Sequence, residues 1–349
     1  MKMKSTSQSA FFNRRVLLGL FMVSVGVFLA LVSSGLFPAQ AQPKYKFASN
    51  YTNSLDPLVP PMFDCSKIHE LGIDRQENFR AGAIMIACGQ AEGGSGSPEQ
   101  RLSQFVQQLL PPPLAYGGTD VDLITGTEFY PNVTQSETFS TANPDNPLQI
   151  VVAYNDSRGR NSSPINISGA SVSTDGGTTF TRLTQASGQS PFGNTLGDPV
   201  ILYSRHSSTW YTVWLDGGCG TQGLGGYKST TPWDPNSWTH YCVYSEASAD
   251  RESGWVDNNP SSPHYGNIYV SWNDFAVGSG ALFVRVSTDD GATWTPHQLT
   301  SGSPFIRDVQ ITGDSVTGDV YIAGMNEGGG GFPHTDMNLF FRSTDGGNT

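Results

Sequence analysis

Ser173-Thr174-Asp175-Gly176-Gly177-Thr178-Thr179-Phe180 decides how the chain is read. It returns as Ser287-Thr288-Asp289-Asp290-Gly291-Ala292-Thr293-Trp294 and begins again as Ser343-Thr344-Asp345-Gly346-Gly347-Asn348-Thr349. The shared skeleton is Ser-x-Asp-x-Gly-x-x-aromatic. Gly177 and Gly291, with Gly347 in the third copy, suit the positive φ of a tight turn. Asp175, Asp289 and Asp345 are placed to accept hydrogen bonds from the amides of that turn. Phe180 and Trp294 open a returning strand and pack under the hairpin. These aspartates are read as structural turn residues.

The interval between copies carries more than any one copy. Ser173 and Ser287 are 114 residues apart, and Ser287 and Ser343 are 56 apart. The first gap is close to twice the second, so a weaker copy belongs near residue 230. Tyr227-Lys228-Ser229-Thr230-Thr231-Pro232-Trp233-Asp234-Pro235-Asn236-Ser237-Trp238 supplies it, with the Ser and the Trp kept and the turn lengthened. A period near fifty, built of short strands, fits one four-stranded propeller blade per repeat.

The motif resembles the Asp-box (BNR) repeat of the sialidase-like β-propellers over roughly residues 130 to 349. The resemblance implies an all-β fold of about four four-stranded blades in an incomplete ring, with the remaining blades beyond residue 349. It says little about chemistry, because this fold serves sialidases, other glycosidases, sortilin-like receptors and exported proteins without activity. Catalytic sialidases carry an early Arg-Ile-Pro motif. Here Phe79-Arg80-Ala81 lacks the Ile and Pro, and Phe305-Ile306-Arg307 has the order reversed. The resemblance therefore points first to a secreted propeller that binds an extracellular glycan or protein. An exo-glycosidase of sialidase type is the enzymatic alternative, and a structural cell-surface protein is a third reading.

Composition agrees with many short strands and turns. There are 40 Gly and 22 Pro, with only 14% charged residues. A formal net charge of −11 argues against nucleic acid and anionic membrane surfaces as partners. Lys2, Lys4, Arg14 and Arg15 precede an apolar run from Val16 to Val32, and Ala39-Gln40-Ala41 offers a small-x-small cleavage site. Residues 1–41 thus read as a signal peptide, with an uncleaved anchor as the alternative. Cys65, Cys88, Cys219 and Cys242 form an even set in an exported chain, and proximity favours the disulfides 65–88 and 219–242.

Residues 42–61 read as a linker, and residues 62–118 as a small helical module with one disulfide. Apolar residues from Ile68 to Ile86 suggest one or two short helices, and Glu99 to Leu110 another. The blades then occupy 125–349. Within each blade an apolar second strand ends in an acid: Asp156, Asp216, Asp274 and Glu327. A further acid opens the strand before it: Glu137, Asp198, Asp257 and Asp308. Antiparallel neighbours would bring both columns to one face, opposite the Asp-box turns.

Eight carboxylates around one mouth suit a hard cation such as Ca²⁺, or the acid and base of glycoside chemistry. Solvated turn caps are the alternative for such aspartates. Arg158 and Arg160 fall on the same face and suit a ligand carboxylate. Trp214, Trp255 and Trp272 suit either sugar stacking or core packing. No cofactor other than calcium is suggested, and no metal ligands are assigned.

Overall fold

A computed structural model describes residues 51–52, 54–76, 78–91, 135–183, 191–326 and 337–349. The signal-peptide reading, the helix expected over 99–110 and Glu327 lie outside these residues. Residues 47–349 form one compact unit.

The described chain is almost entirely β. The first sheet pairs β1 (Gln135–Asn143), β2 (Asn146–Gly159), β3 (Asn166–Ser173) and β4 (Thr181–Arg182) in that order. The second pairs β5 (Val200–Ser204), β6 (Thr209–Asp216), β7 (Gly223–Ser229) and β8 (Thr239–Tyr244). The third pairs β9 (Ala249–Val256), β10 (Ile268–Asp274), β11 (Ala281–Ser287) and β12 (Thr295–Gln298). The fourth has three strands: β13 (Ile306–Gly313), β14 (Val320–Asn326) and β15 (Met337–Ser343). Every pairing within them is antiparallel. Each sheet is a meander, and the first strands pack in the sequence β1, β5, β9, β13. This is the blade arrangement of a β-propeller.

Sequence sets which strand is inside. β6 reads Thr-Trp-Tyr-Thr-Val-Trp-Leu-Asp and β10 reads Ile-Tyr-Val-Ser-Trp-Asn-Asp, and every residue of both is buried. A strand covered on both faces by neighbouring blades needs no polar alternation, and β-branched and aromatic residues fill such a surface well. Each fully buried large side chain of this kind contributes about 1.5–3 kcal/mol. The outer strands carry polar residues: β12 is Thr-Pro-His-Gln and mostly exposed.

The turn motif closes in the same way three times. Ser173 Oγ donates to Asp175 Oδ1 at 2.8 Å and accepts the Gly177 N–H at 2.9 Å. The Asp175 carboxylate then takes the Thr179 N–H and hydroxyl at 2.9 and 2.6 Å. Ser287, Asp289, Gly291 and Thr293 repeat this at 2.9, 2.8, 2.8 and 2.6 Å. Ser343, Asp345, Gly347 and Thr349 repeat it again. Both tip positions take positive φ, as in Gly176 (73°) with Gly177 (86°) and Asp290 (55°) with Gly291 (74°). These bonds hold Asp175 down at about 2, below the usual carboxylate range, and lower Asp289 and Asp345 as well. The Trp294 ring stacks on Tyr241 with centroids 6.4 Å apart. In the degenerate copy Ser229 Oγ meets Ser237 Oγ at 2.6 Å, and Trp238 Nε1 donates to the Pro232 carbonyl.

Residues 51–91 form short 3-10 turns at Cys65–Lys67 and Ile73–Arg75 and one helix, α1 (Phe79–Ala87). Asn78 caps α1, accepting the Ala81 N–H. Gly82 lies inside the helix, while Gly89 follows its end with φ 69°. The segment is not a freestanding module. Ile68, Ile73, Ala81 and Ile84 share one apolar cluster with Val213, Leu215, Leu224 and Val243 of the second blade. The described part of the expected linker, from residue 51, belongs to this body: Leu58 and Val59 are buried in that cluster, and Asp56 pairs with Arg160. The disulfides are Cys65–Cys88 and Cys219–Cys242, and no described cysteine is free.

Candidate functional site

The inner strands enter the blades through irregular backbone. β1 bulges between Ser136 and Phe139, β9 between Asp250 and Ser253, and β13 between Asp308 and Gln310. Glu137 (φ 52°), Asp198 (58°) and Arg251 (60°) adopt left-handed backbone there without being glycine. Such positions cost about 1–3 kcal/mol each and cluster at functional sites. A bulge re-aims side chains that a regular strand would send into the blade.

What they aim at is a cavity of about 310 Å³ lined by Glu137, Thr138, Asp198, Pro199, Arg251, Glu252 and Asp308. All four blades contribute to it. Its walls carry four carboxyl groups and one guanidinium. A buried asparagine joins successive blades beside it. Asn155 Oδ1 accepts the Asp198 N–H at 2.6 Å, while its amide donates to Glu137. Asn273 Oδ1 accepts the Asp308 N–H at 2.7 Å, and its amide reaches the carbonyls of Gly280 and Ile306. Leu215 stands at this place in the second blade and uses only its backbone, through Leu196 and Gly197.

Burial governs the protonation of this cluster. The Asp198 carboxyl is pushed well above the usual range by burial, and then by the charges of Glu252, Asp250 and Glu137. Glu252 is pushed well up by burial, opposed by nearby backbone amides and reinforced by Asp250 and Glu137. Both carboxyl oxygens of Glu252 are cut off from solvent, as are both of Asp308. Burial and mutual repulsion thus favour the protonated form of both carboxyls more than in a free carboxyl.

Three of the eight expected acids meet here: Glu137, Asp198 and Asp308. The other described ones are elsewhere. Asp257 follows β9 instead of opening it, so it lies at the far end of the blade. It accepts from Ser262 Oγ at 2.5 Å and from the Asn259 N–H at 3.0 Å. The β9–β10 connection spans residues 257–267, where the first two blades need only 144–145 and 205–208. That length misplaced the strand by one element. The residues sequence reasoning missed are Arg251 and Glu252, hidden in the polar run Ala249-Asp250-Arg251-Glu252-Ser253. A polar strand is what a cavity wall requires, and the long β9–β10 connection breaks the offset that separates Glu137 from Asn155 in the first blade.

The described members of the second column, Asp156, Asp216 and Asp274, are consumed inside the blades. Asp156 pairs with Arg158 and Arg182, and the two cations outweigh burial and keep its carboxyl below the usual range. Arg158 is thereby occupied, its side chain only 8% exposed, and Arg160 pairs with Asp56. Neither is presented to a ligand carboxylate. Asp216 accepts from His240 at 2.8 Å and from the Gly218 N–H at 2.6 Å. Asp274 accepts the Tyr244 hydroxyl at 2.5 Å and the Ala276 N–H at 2.9 Å. Trp214 packs edge-on against Phe192, Trp272 stacks on Phe283, and Trp255 stacks on Tyr269. None of the three lines the cavity.

α1 meets this region from outside. The Asn78 amide donates to Asp250 Oδ1 at 2.7 Å, one residue from Arg251. Arg80 bonds the Thr221 carbonyl and Gln222. Among the described residues, only Cys219, His240 and Cys242 bring ligand atoms of three His, Cys, Asp or Glu residues within 4.8 Å of one another. The mouth acids are thus more widely spread than the cluster the calcium expectation assumed.

No family model matches the chain, and no curated protein matches it. Solved structures do. A GH74 enzyme from Niastella koreensis aligns with TM-score 0.38 and 21% identity over 60% of this chain and 30% of its own. An intramolecular trans-sialidase from Ruminococcus gnavus aligns with TM-score 0.42 and 13% identity over 63% and 71%. An α-L-arabinanase from Penicillium chrysogenum aligns with TM-score 0.37 and 14% identity over 56% and 54%. The chain thus spans less than a third of the GH74 enzyme. Likeness at this level carries no argument about activity.

Proposed function

We propose that the protein is an exported, carbohydrate-directed propeller that holds a sugar in the acid-lined cavity. The observation that carries this reading is the convergence of Glu137, Asp198, Glu252, Asp308 and Arg251 on one cavity from four blades. Carboxylates accept from sugar hydroxyls, while protonated carboxyls and a guanidinium donate to them, so both halves of a hydroxyl are served. Backbone held in left-handed φ at three of the cavity's entries supports a selected site over a chance cleft. The signal-like N-terminus and the two disulfides support export.

A second reading, glycoside hydrolysis, is favoured by one specific observation. Burial and neighbouring acids raise the Asp198 and Glu252 carboxyls where both line one cavity, and a protonated carboxyl facing a carboxylate is the pairing that cleaves glycosidic bonds. In this reading one of them protonates the departing glycosidic oxygen, and an ionised neighbour serves as base or nucleophile.

Calorimetric titration with a panel of neutral and acidic sugars tests the first reading, and aryl glycosides, a sialoside included, test the second. Binding that Asp308→Asn weakens supports the sugar site. Hydrolysis that Glu252→Gln reduces by about 10²-fold or more supports the enzyme. A folded protein that binds no sugar and hydrolyses none ends both.

A further inference from the structure

The second blade carries a group of side chains that the acid-lined cavity does not use. Asp216 ends β6, and Cys219 lies three residues on, in the turn to β7. His240 and Cys242 are two apart on β8, so the strand period places them on one face. Cys219 Sγ stands 3.7 Å from His240 Nε2, and Asp216 Oδ2 stands 2.8 Å from the same nitrogen. Cys219 and Asp216 are buried, with exposures of 1% and 0%. The His240 side chain is 36% exposed and gives access from solvent. As long as the Cys219–Cys242 disulfide stands, neither sulfur is a thiolate and the group holds no metal.

We propose that reduction of this disulfide converts the group into a binding site for zinc or another thiophilic divalent metal, with Cys219, Cys242 and His240 as ligands and Asp216 completing the set. Metal–ligand bonds of about 2.0–2.3 Å place the corners of a tetrahedron roughly 3.3–3.8 Å apart. The Cys219–His240 separation of 3.7 Å already matches one edge. All three Cys and His donor atoms lie within 4.8 Å of one another, so small side-chain movements close the rest. A donor set of two sulfurs, one imidazole and one carboxylate favours zinc over calcium or magnesium.

The chemistry balances simply. A dithiol reductant gives two electrons and two protons to the Cys219–Cys242 bond, leaving two thiols and becoming a disulfide itself. The metal then displaces both thiol protons to solvent, and the proton that His240 Nε2 shares with Asp216 leaves for solvent or moves to Nδ1 so that Nε2 can ligate, which makes binding weaken as pH falls. Cys219 and Cys242 would be cross-linked by sulfur in an oxidising medium and by a cation in a reducing one. The blade would keep a clasp in either.

The experiment uses the full chain, reduced with a non-thiol phosphine and titrated with Co²⁺ as the probe. The expected result is one equivalent of cobalt, with thiolate-to-cobalt charge-transfer absorption and intense tetrahedral visible bands. Zn²⁺ should displace the cobalt, and the oxidised protein should give no such bands. Cys65→Ser/Cys88→Ser should retain the spectrum, whereas His240→Ala and Cys242→Ser should each weaken binding about 10-fold or more. Near-UV circular dichroism before metal addition reports whether each reduced variant is folded. Absence of thiolate–cobalt bands overturns the proposal. So does binding that His240→Ala leaves unchanged, or loss of the near-UV spectrum on reduction that Zn²⁺ does not restore.

Discussion

Asp289 gathers the N–H groups of Ala292 and Thr293 and the hydroxyls of Ser287 and Thr293 on one carboxylate. Asp289→Ala leaves those donors to solvent and frees the turn. The expected outcome is a lower melting temperature, by about 2–4 °C, read by thermal unfolding, with the cavity chemistry unchanged. The lowered Asp175, Asp289 and Asp345 carboxyls share a sign. Their contribution is complete above the ordinary carboxyl range and is lost as acid titrates the folded turn, for Asp175 between about 4 and about 2. Glu252 and Asp198 have the opposite sign. Their folded-state values are raised, so the stability they contribute is full below the ordinary carboxyl range and is lost as pH rises through the folded value. Glu252→Gln should therefore raise the melting temperature at pH 7 and leave it nearly unchanged at pH 4. The same variant should lose activity in the hydrolytic reading, since strained and charged sites trade stability for function.

At the level of elements, the Asn273 clasp is the clearest test of how blades hold together. Asn273→Leu copies the second blade's residue, Leu215, but strands the Asp308 N–H and the carbonyls of Gly280 and Ile306. Each buried polar group left unpaired costs about 1–3 kcal/mol, which denaturant unfolding will register as a shifted midpoint. Asn78→Ala should be costly for a related reason, since one side chain both caps α1 and holds Asp250. The turns were legible in the sequence because Ser173, Asp175 and Gly177 satisfy one another within five residues. The second strands were legible because burial on both faces removes the polar alternation of a half-exposed strand, leaving mostly apolar runs such as Ile268–Trp272. The cavity was legible only in part. Glu137, Asp198 and Asp308 stand beside such runs, whereas Glu252 lies in a polar strand that resembles a loop, and a long connection put Asp257 in its place. Asp156 and Arg158 misled for another reason: they satisfy each other, and no spacing rule distinguishes an internal ion pair from a ligand clamp.

For the whole molecule, two disulfides each close 23 residues of separation, one in the N-terminal segment and one in the second blade. Chain entropy assigns about 3 kcal/mol to a loop of that size. Cys65→Ala/Cys88→Ala should therefore loosen the segment bearing α1 and shorten its amide-exchange protection, with the third and fourth blades retaining theirs. The helical segment is buried against the second blade through Ile73, Ala81 and Ile84, so its release should also shift the cavity wall through Asn78 and Asp250.

The Asp-box turns lie at the opposite ends of their strands from the cavity. Strands of seven or eight residues set them roughly 20 Å or more away. The second blade already tolerates a longer loop there, with Trp233 exposed. That geometry gives the molecule a back and a front. A tether or fluorophore attached near Asn236 would fix it to a surface with its opening turned to the medium.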